Sequence, residues 1–169
     1  KILVSTSTFN IYPKEFEEKI KNKYNLILNP LKRRLSEQEL HNLLEEHRPV
    51  GLLAGTEIIS RKTLENVKEY LKVISRVGSG CDNINLKYAK KVGIKIFRTK
   101  GVLNNSVAEL TIGFIINALR KITINNNQLK TGVWEKIPGY LLNGKKVGIF
   151  GFGQIGQTVG LLLKAFNYL

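Results

Sequence analysis

The chain is predicted to be an α/β protein built on a parallel sheet, and three observations predict it. Short apolar runs alternate with amphipathic helical patterns from the first residues onward. Several of those helices carry their own start signals, as helices that return between parallel strands commonly do. Near the end of the chain an apolar strand runs into a glycine-bearing turn that opens a further helix, Gly151-Phe152-Gly153-Gln154-Ile155-Gly156.

Taken in order, β-branched and leucine-rich runs predict strands at 2–5, 25–28, 50–54, 73–76 and 94–97. Helices are predicted between them at 13–23, 36–47, 60–70 and 84–92. Pro13 suits a first helical turn, where its missing N–H is no loss. Ser36 and Glu39 have the spacing of a capping box, in which each side chain satisfies the other residue's backbone N–H. Ser106-Val107-Ala108-Glu109 has the same spacing and opens a strongly apolar stretch through Leu110, Ile112, Phe114, Ile115 and Leu119. One long helix is expected from there to about Asn125, its wide apolar face fitting a boundary between domains or subunits. The run from Asn125 to Asn127 reads as fraying, and Thr131-Gly132 as a turn. A sixth strand is predicted over 146–150, followed by a helix to about Phe166. Residues 1–99 then form a first domain, and residues 100–169 begin a second.

Bulk properties narrow the function classes. A chain of 169 residues can close a core without staples. Its single cysteine, Cys81, forms no internal disulfide, and no opening stretch reads as a signal peptide, so a cytoplasmic setting is expected. No apolar run approaches bilayer length. The formal charge of +14 raises the question of nucleic acid. The lysines, however, are scattered over polar helix faces, as at Lys19, Lys21 and Lys23, without the aromatic interleaving of a nucleic-acid surface. The chain contains no methionine, so these residues need not be the whole gene product.

Two glycine turns carry the chemistry. In the later one, Gly151 permits a tight turn, Gly153 lets backbone approach a pyrophosphate, and Gly156 lets the helix pack closely on the strand. Free N–H groups at the helix start then face the anion, whereas a merely structural strand-to-helix turn would need no such run of glycines. The earlier one is Arg76-Val77-Gly78-Ser79-Gly80-Cys81-Asp82-Asn83-Ile84, at the carboxyl end of the fourth strand, where ligands of open α/β sheets collect. Its backbone N–H groups suit a carboxylate. The plainer reading is a glycine-rich turn with Asp82 capping the next helix, and the two are compatible. His41 and His47, six apart, fit neither a metal pair nor a catalytic dyad. Cys81 reads as a small buried side chain, Glu109 as a capping residue and Trp134 as a ring buried at an interface or under a loop.

The joint order of Val77-Gly78-Ser79-Gly80-Cys81-Asp82-Asn83-Ile84, Ser106-Val107-Ala108-Glu109-Leu110, Gly132-Val133-Trp134 and Leu142-Asn143-Gly144-Lys145-Lys146-Val147-Gly148-Ile149 leading into the glycine loop resembles the D-isomer-specific 2-hydroxyacid dehydrogenases, especially the phosphoglycerate dehydrogenase branch. The resemblance implies a flavodoxin-like substrate domain followed by the start of a Rossmann-type domain binding NAD. It implies that the backbone of Gly78, Ser79 and Gly80 holds the substrate carboxylate, with Gly55 and Thr56 bordering the same substrate cleft. It further implies that Ser106 and Val107 approach the nicotinamide half of the cofactor, and that Gly151, Gly153, Gln154, Ile155 and Gly156 cradle its pyrophosphate. Members often carry Arg at the position of Gln154, so a charge-assisted contact is lost here. Arg98-Thr99-Lys100 replaces the usual Asn-Thr-Pro.

The activity so implied is NAD-dependent interconversion of a D-2-hydroxyacid and its 2-oxoacid by a homodimer. The family's catalytic arginine, glutamate and histidine are expected beyond residue 169, and these residues alone are expected to be inactive. Two other readings stay open: a non-enzymatic NAD(H)-sensing corepressor-like scaffold on the same fold, and an inactive truncated remnant.

Overall fold

A computed structural model describes residues 1–7, 9 and 14–166, the side chains of 14–17 excepted. The expectation for Pro13 lies outside the described residues. The chain divides into two compact units, Lys1–Lys100 and Gly101–Leu169.

The first unit is a five-stranded parallel sheet of β1 (Ile2–Val4), β2 (Leu26–Leu28), β3 (Gly51–Ala54), β4 (Val73–Arg76) and β5 (Lys95–Arg98), in the order β2-β1-β3-β4-β5. This is the doubly wound order of the flavodoxin type, with its reversal between β1 and β3. Leu3 pairs with Ile27 and Leu52, Leu52 with Ile74, and Ile74 with Ile96. Because side chains alternate along a strand, this register stacks Leu3, Leu52 and Ile74 on one face. They are buried there with Leu40 and Leu44 of α2 (Glu37–His47), Leu64 and Val67 of α3 (Arg61–Val67), and Tyr88 and Ala89 of α4 (Leu86–Lys91). On the other face Val4, Leu53 and Val73 line an apolar cavity with Ile20 of α1 (Lys14–Lys21).

Helix starts in this unit follow local chemistry. Ser36 Oγ accepts from the Glu39 N–H at 3.2 Å while Glu39 accepts from the Ser36 N–H at 2.8 Å, closing the capping box. Arg33 adds a second hold, its guanidinium donating to both Glu39 oxygens at 3.0 and 2.6 Å. This pairing and the Ser36 N–H hold the Glu39 carboxyl down to about 2. Asn85 caps α4 by accepting from the Tyr88 N–H at 3.0 Å, which corrects the expectation that Asp82 would do so. Asp82 lies three residues too early; its carboxylate instead lies beside Gly80.

The second unit departs further from expectation. Its first helix, α5 (Asn104–Arg120), begins two residues before Ser106, and no side chain caps it. Ser106 is therefore inside the first turn, and the expected second capping box does not form. The long helix also breaks at Lys121, which takes a left-handed conformation with φ 58°, before α6 (Ile122–Lys130). Asn117 explains the break: its Oδ1 accepts from the Thr123 N–H at 2.9 Å and the Thr123 hydroxyl at 3.0 Å, starting a new helix at the expense of the old one. The run Asn125 to Asn127 is consequently helical rather than frayed. Gly132, with φ 79°, supplies the turn expected there.

Residues 146–150 take no place in a sheet, although a strand was expected. A strand needs a neighbour to receive its backbone groups, and among the described residues of this unit there is none. Val147 and Ile149 pack instead against a small core of Ala108, Leu142, Val159 and Leu163 formed between α5 and α7 (Gln154–Leu163). Trp134 is 89% exposed, so no loop of this unit covers its ring, and it stands outside the small core. No described helix is long and apolar enough to cross a membrane.

Candidate functional site

In the first unit, the candidate acid-binding residues meet at the carboxyl ends of β3 and β4. Gly55 follows β3 directly and is buried, while Thr56 beside it is exposed. The two turns are laced together: the Val77 N–H donates to Ala54 O at 2.9 Å, and Asn83 Nδ2 to Gly55 O at 3.4 Å. Gly78 has φ 147°, a conformation side chains rarely adopt, and a Cβ there would collide with the Arg76 guanidinium.

The same loop is anchored to the end of β5 and the residue after it. Ser79 Oγ donates to Thr99 O at 3.0 Å, Arg98 donates to Ser79 O at 3.1 Å, and the Thr99 N–H donates to Gly78 O at 3.1 Å. Arg98 and Thr99, noted in the sequence only as a departure from a family pattern, thus shape the loop. The Gly78 N–H is itself engaged with Arg76 O at 3.0 Å. The N–H groups of Ser79 and Gly80 donate to no acceptor among the described residues, so of the three residues these two have donors to offer an anion.

In the second unit, the candidate cofactor residues converge on the first turns of α5 and α7. Asn104 Nδ2 donates to Gln154 Oε1 at 3.4 Å, joining the two helix starts, with Ser106 and Val107 exposed on the turn of α5 beside them. The three glycines separate by role. Gly151 has φ 91°. At Gly156 a Cβ would lie 2.3 Å from Gly151 O, so backbone packs on backbone there, whereas a Cβ at Gly153 would meet nothing within 4 Å. Open space in front of Gly153, with the unshared N–H groups at the start of α7 behind it, is the arrangement an approaching pyrophosphate needs.

Other candidates are not drawn in. Cys81 is buried at 5% exposure, and Glu109 is exposed without a cap to make. His47 Nε2 lies 3.7 Å from Glu46, and His41 Nδ1 is buried without a hydrogen-bond partner. No group of three or more His, Cys, Asp or Glu among the described residues could hold a metal.

The residue that sequence reasoning missed is Glu57. It is 1% exposed, directly beneath Gly55, with its Oε1 accepting from the Gly55 N–H at 2.9 Å. The signal available was a charged residue three places beyond a strand end, which is ordinarily read as a solvated loop position.

Comparison with known proteins agrees with this architecture. Residues 3–165 match the family model of the D-isomer specific 2-hydroxyacid dehydrogenase catalytic domain. The chain is 36% identical over 135 residues to a hydroxypyruvate reductase of Thermotoga maritima, covering 79% of this chain and 44% of that protein. It is 35% identical over 138 residues to human D-3-phosphoglycerate dehydrogenase, covering 80% of this chain and 26% of that one. A glyoxylate reductase structure from Paecilomyes thermophila superimposes with a TM-score of 0.77 at 23% identity, over 99% of this chain and 53% of that one, a likeness of fold. The chain thus spans less than half the length of these two curated relatives. With a five-stranded parallel α/β unit, a glycine turn opening a helix, and a family match running through both, the chain belongs to the D-isomer specific 2-hydroxyacid dehydrogenase family.

Proposed function

We propose that the gene product containing this chain interconverts a D-2-hydroxyacid and its 2-oxoacid with NAD as cofactor. The observation that carries the reading is the start of α7, where Gly151 turns, Gly156 admits the helix and Gly153 leaves room for a dinucleotide. The residues present fit such a group. When bound there, NADH would supply a hydride to the C2 carbonyl carbon of the oxoacid, and the carbonyl oxygen would take up a proton to become the hydroxyl.

The chain's own residues bind and orient. The Ser79 and Gly80 N–H groups hold the carboxylate, Gly78 gives that loop its shape, and Gly55 with Thr56 borders the acid. Gln154 and Ile155 offer N–H groups to the pyrophosphate, and Ser106 and Val107 approach the nicotinamide half. Residues 1–99 act as the substrate domain and residues 100–169 as the beginning of the nucleotide domain. The proton-exchanging histidine, its glutamate and the orienting arginine belong to the gene product rather than to these residues. A homodimer formed through the second unit completes the reading, and sedimentation of the gene product tests it. Apolar side chains exposed on α5 and α7, among them Leu110, Phe114 and Leu161, support it.

The test is loss of nicotinamide absorbance when the intact gene product is given NADH and a panel of 2-oxoacids, including glyoxylate, hydroxypyruvate, pyruvate and phosphohydroxypyruvate. Consumption with at least one is expected. No consumption across the panel, with NADH bound, would favour the scaffold reading.

A further inference from the structure

Glu57 belongs to no part of the reading above, yet it lies at the point where the sheet reverses. The carboxyl ends of β1 and β3 flank that point, the place where ligands of open α/β sheets bind. Burying a carboxyl group is costly unless its oxygens are hydrogen-bonded. The ion pairs among the described residues, Arg33–Glu39, His47–Glu46 and Lys68–Glu65, lie elsewhere. Glu57 is held by hydrogen bonds instead. Its Oε1 accepts from the hydroxyl of Ser5, fully buried at the end of β1, and from the Gly55 N–H at the end of β3.

The network extends to both sides. Asn29, after β2, donates to Ser5 O at 2.8 Å. Asn83, in the loop after β4, donates to Glu57 O at 2.6 Å and to Gly55 O at 3.4 Å. The Ile59 N–H donates to Asn83 O at 2.8 Å, and the Asn85 N–H returns to Ile59 O at 3.0 Å. One side chain therefore joins the ends of β1 and β3, and its backbone joins the loop bearing Gly78, Ser79 and Gly80. Gly55 is packed against it closely enough that a Cβ would stand 2.8 Å from Glu57 Oε2 and 3.2 Å from Thr6 Cα. A loop that needed only filling would take an apolar residue here; a carboxyl group that accepts from two separate strand ends specifies where those ends sit.

We propose that Glu57 is a positioning residue, whose carboxyl group sets the Gly55–Thr56 backbone against the Gly78–Gly80 loop and so fixes the wall against which the substrate acid is held. The role rests on the dehydrogenase reading, and two measurements separate their failures.

In the 169-residue chain, amide exchange at Gly55, Ile59 and Asn85 is compared with exchange in the strand core at Leu3, Leu52 and Ile74. In Glu57→Ala the first three amides are expected to exchange about tenfold faster or more with the core unchanged, and in Glu57→Gln, which keeps an accepting oxygen, to stay near wild type. Unchanged exchange at those three, or equal acceleration everywhere, overturns the proposal.

In the intact gene product, Glu57→Ala is expected to raise KM for the 2-oxoacid about tenfold while KM for NADH and kcat move much less, with Glu57→Gln restoring most of the loss. Ser5→Ala, which removes one donor only, should shift KM for the oxoacid in the same direction by less, and it carries the test should Glu57→Ala fail to fold. An active wild type whose oxoacid KM is unmoved by these changes overturns the positioning role and leaves the dehydrogenase reading intact. An inactive wild type overturns the dehydrogenase reading, and the exchange measurement still decides whether Glu57 holds the loops.

Discussion

The two units differ in how much of their apolar surface they bury. In the first, five parallel strands satisfy one another's backbone groups, and fifteen buried residues among those described form one core between the sheet and α2, α3 and α4. In the second, the buried core is Ala108, Leu142, Val159 and Leu163, while Phe114, Phe150, Phe152 and Leu161 are each more than 60% exposed. The contrast shows that a helix can be placed by pairing with one other helix, whereas a strand is not a strand until something lies beside it. Residues 146–150 have the composition of a buried strand and no ladder. The glycine turn at their end nevertheless keeps its shape, because it depends on local dihedral angles and on Gly156 rather than on sheet pairing.

The largest effect that sharpens this comparison is in the core of the first unit. Ile74→Ala removes a fully buried side chain from the centre of the sheet and should cost about 2–5 kcal/mol, read by denaturant unfolding. In amide exchange, residues 108–119 of wild type should open at lower free energy than residues 51–54 and 73–76; equal protection would abolish the distinction between the units.

Next in size is Gly156→Ala. A Cβ 2.3 Å from Gly151 O forces α7 away from the turn, so a loss of about 1–3 kcal/mol is expected in the second unit together with weakened NADH binding by the gene product, followed by fluorescence. Unaltered NADH affinity would remove the pyrophosphate role from this turn.

The two Ser-x-x-Glu segments give a smaller, matched pair. Ser36→Ala should destabilise by about 1 kcal/mol, because Ser36 accepts the Glu39 N–H. Its partner adds a pH dependence. Glu39 is lowered from 4.5 to about 2 by the Arg33 guanidinium first and the Ser36 N–H second, so its contribution is complete above pH 4.5 and fades as pH falls toward 2. The Tm difference between wild type and Glu39→Gln should therefore close over that interval; a gap that persists at pH 2 would assign the effect to packing. Smallest of all, Ser106→Ala should change stability by less than about 0.5 kcal/mol, since the residue is exposed within the helix.

The same pair shows where local reading holds and where it stops. Both segments have the capping spacing, yet only Ser36 stands where its helix begins; at Ser106 the helix already runs from Asn104. Spacing names a candidate cap, and the point at which the preceding chain can turn decides whether it is used. Gly78, Gly151 and Gly156 were legible because a positive φ or a backbone contact admits little besides glycine. Glu57 was not legible, since its burial comes from Ser5, fifty-two residues away, and no local pattern announces a partner at that distance.

From the residues alone came the alternation of strands and helices and the two glycine turns, which depend on periodicity and dihedral preference acting over a few neighbouring residues; the family came from the resemblance carried by the order of the motifs. Tertiary structure alone decided the exposure of Trp134, the unladdered segment at 146–150 and the burial of Glu57. Each is settled by which groups another part of the chain brings within hydrogen-bonding or packing distance, and sequence distance carries no record of that.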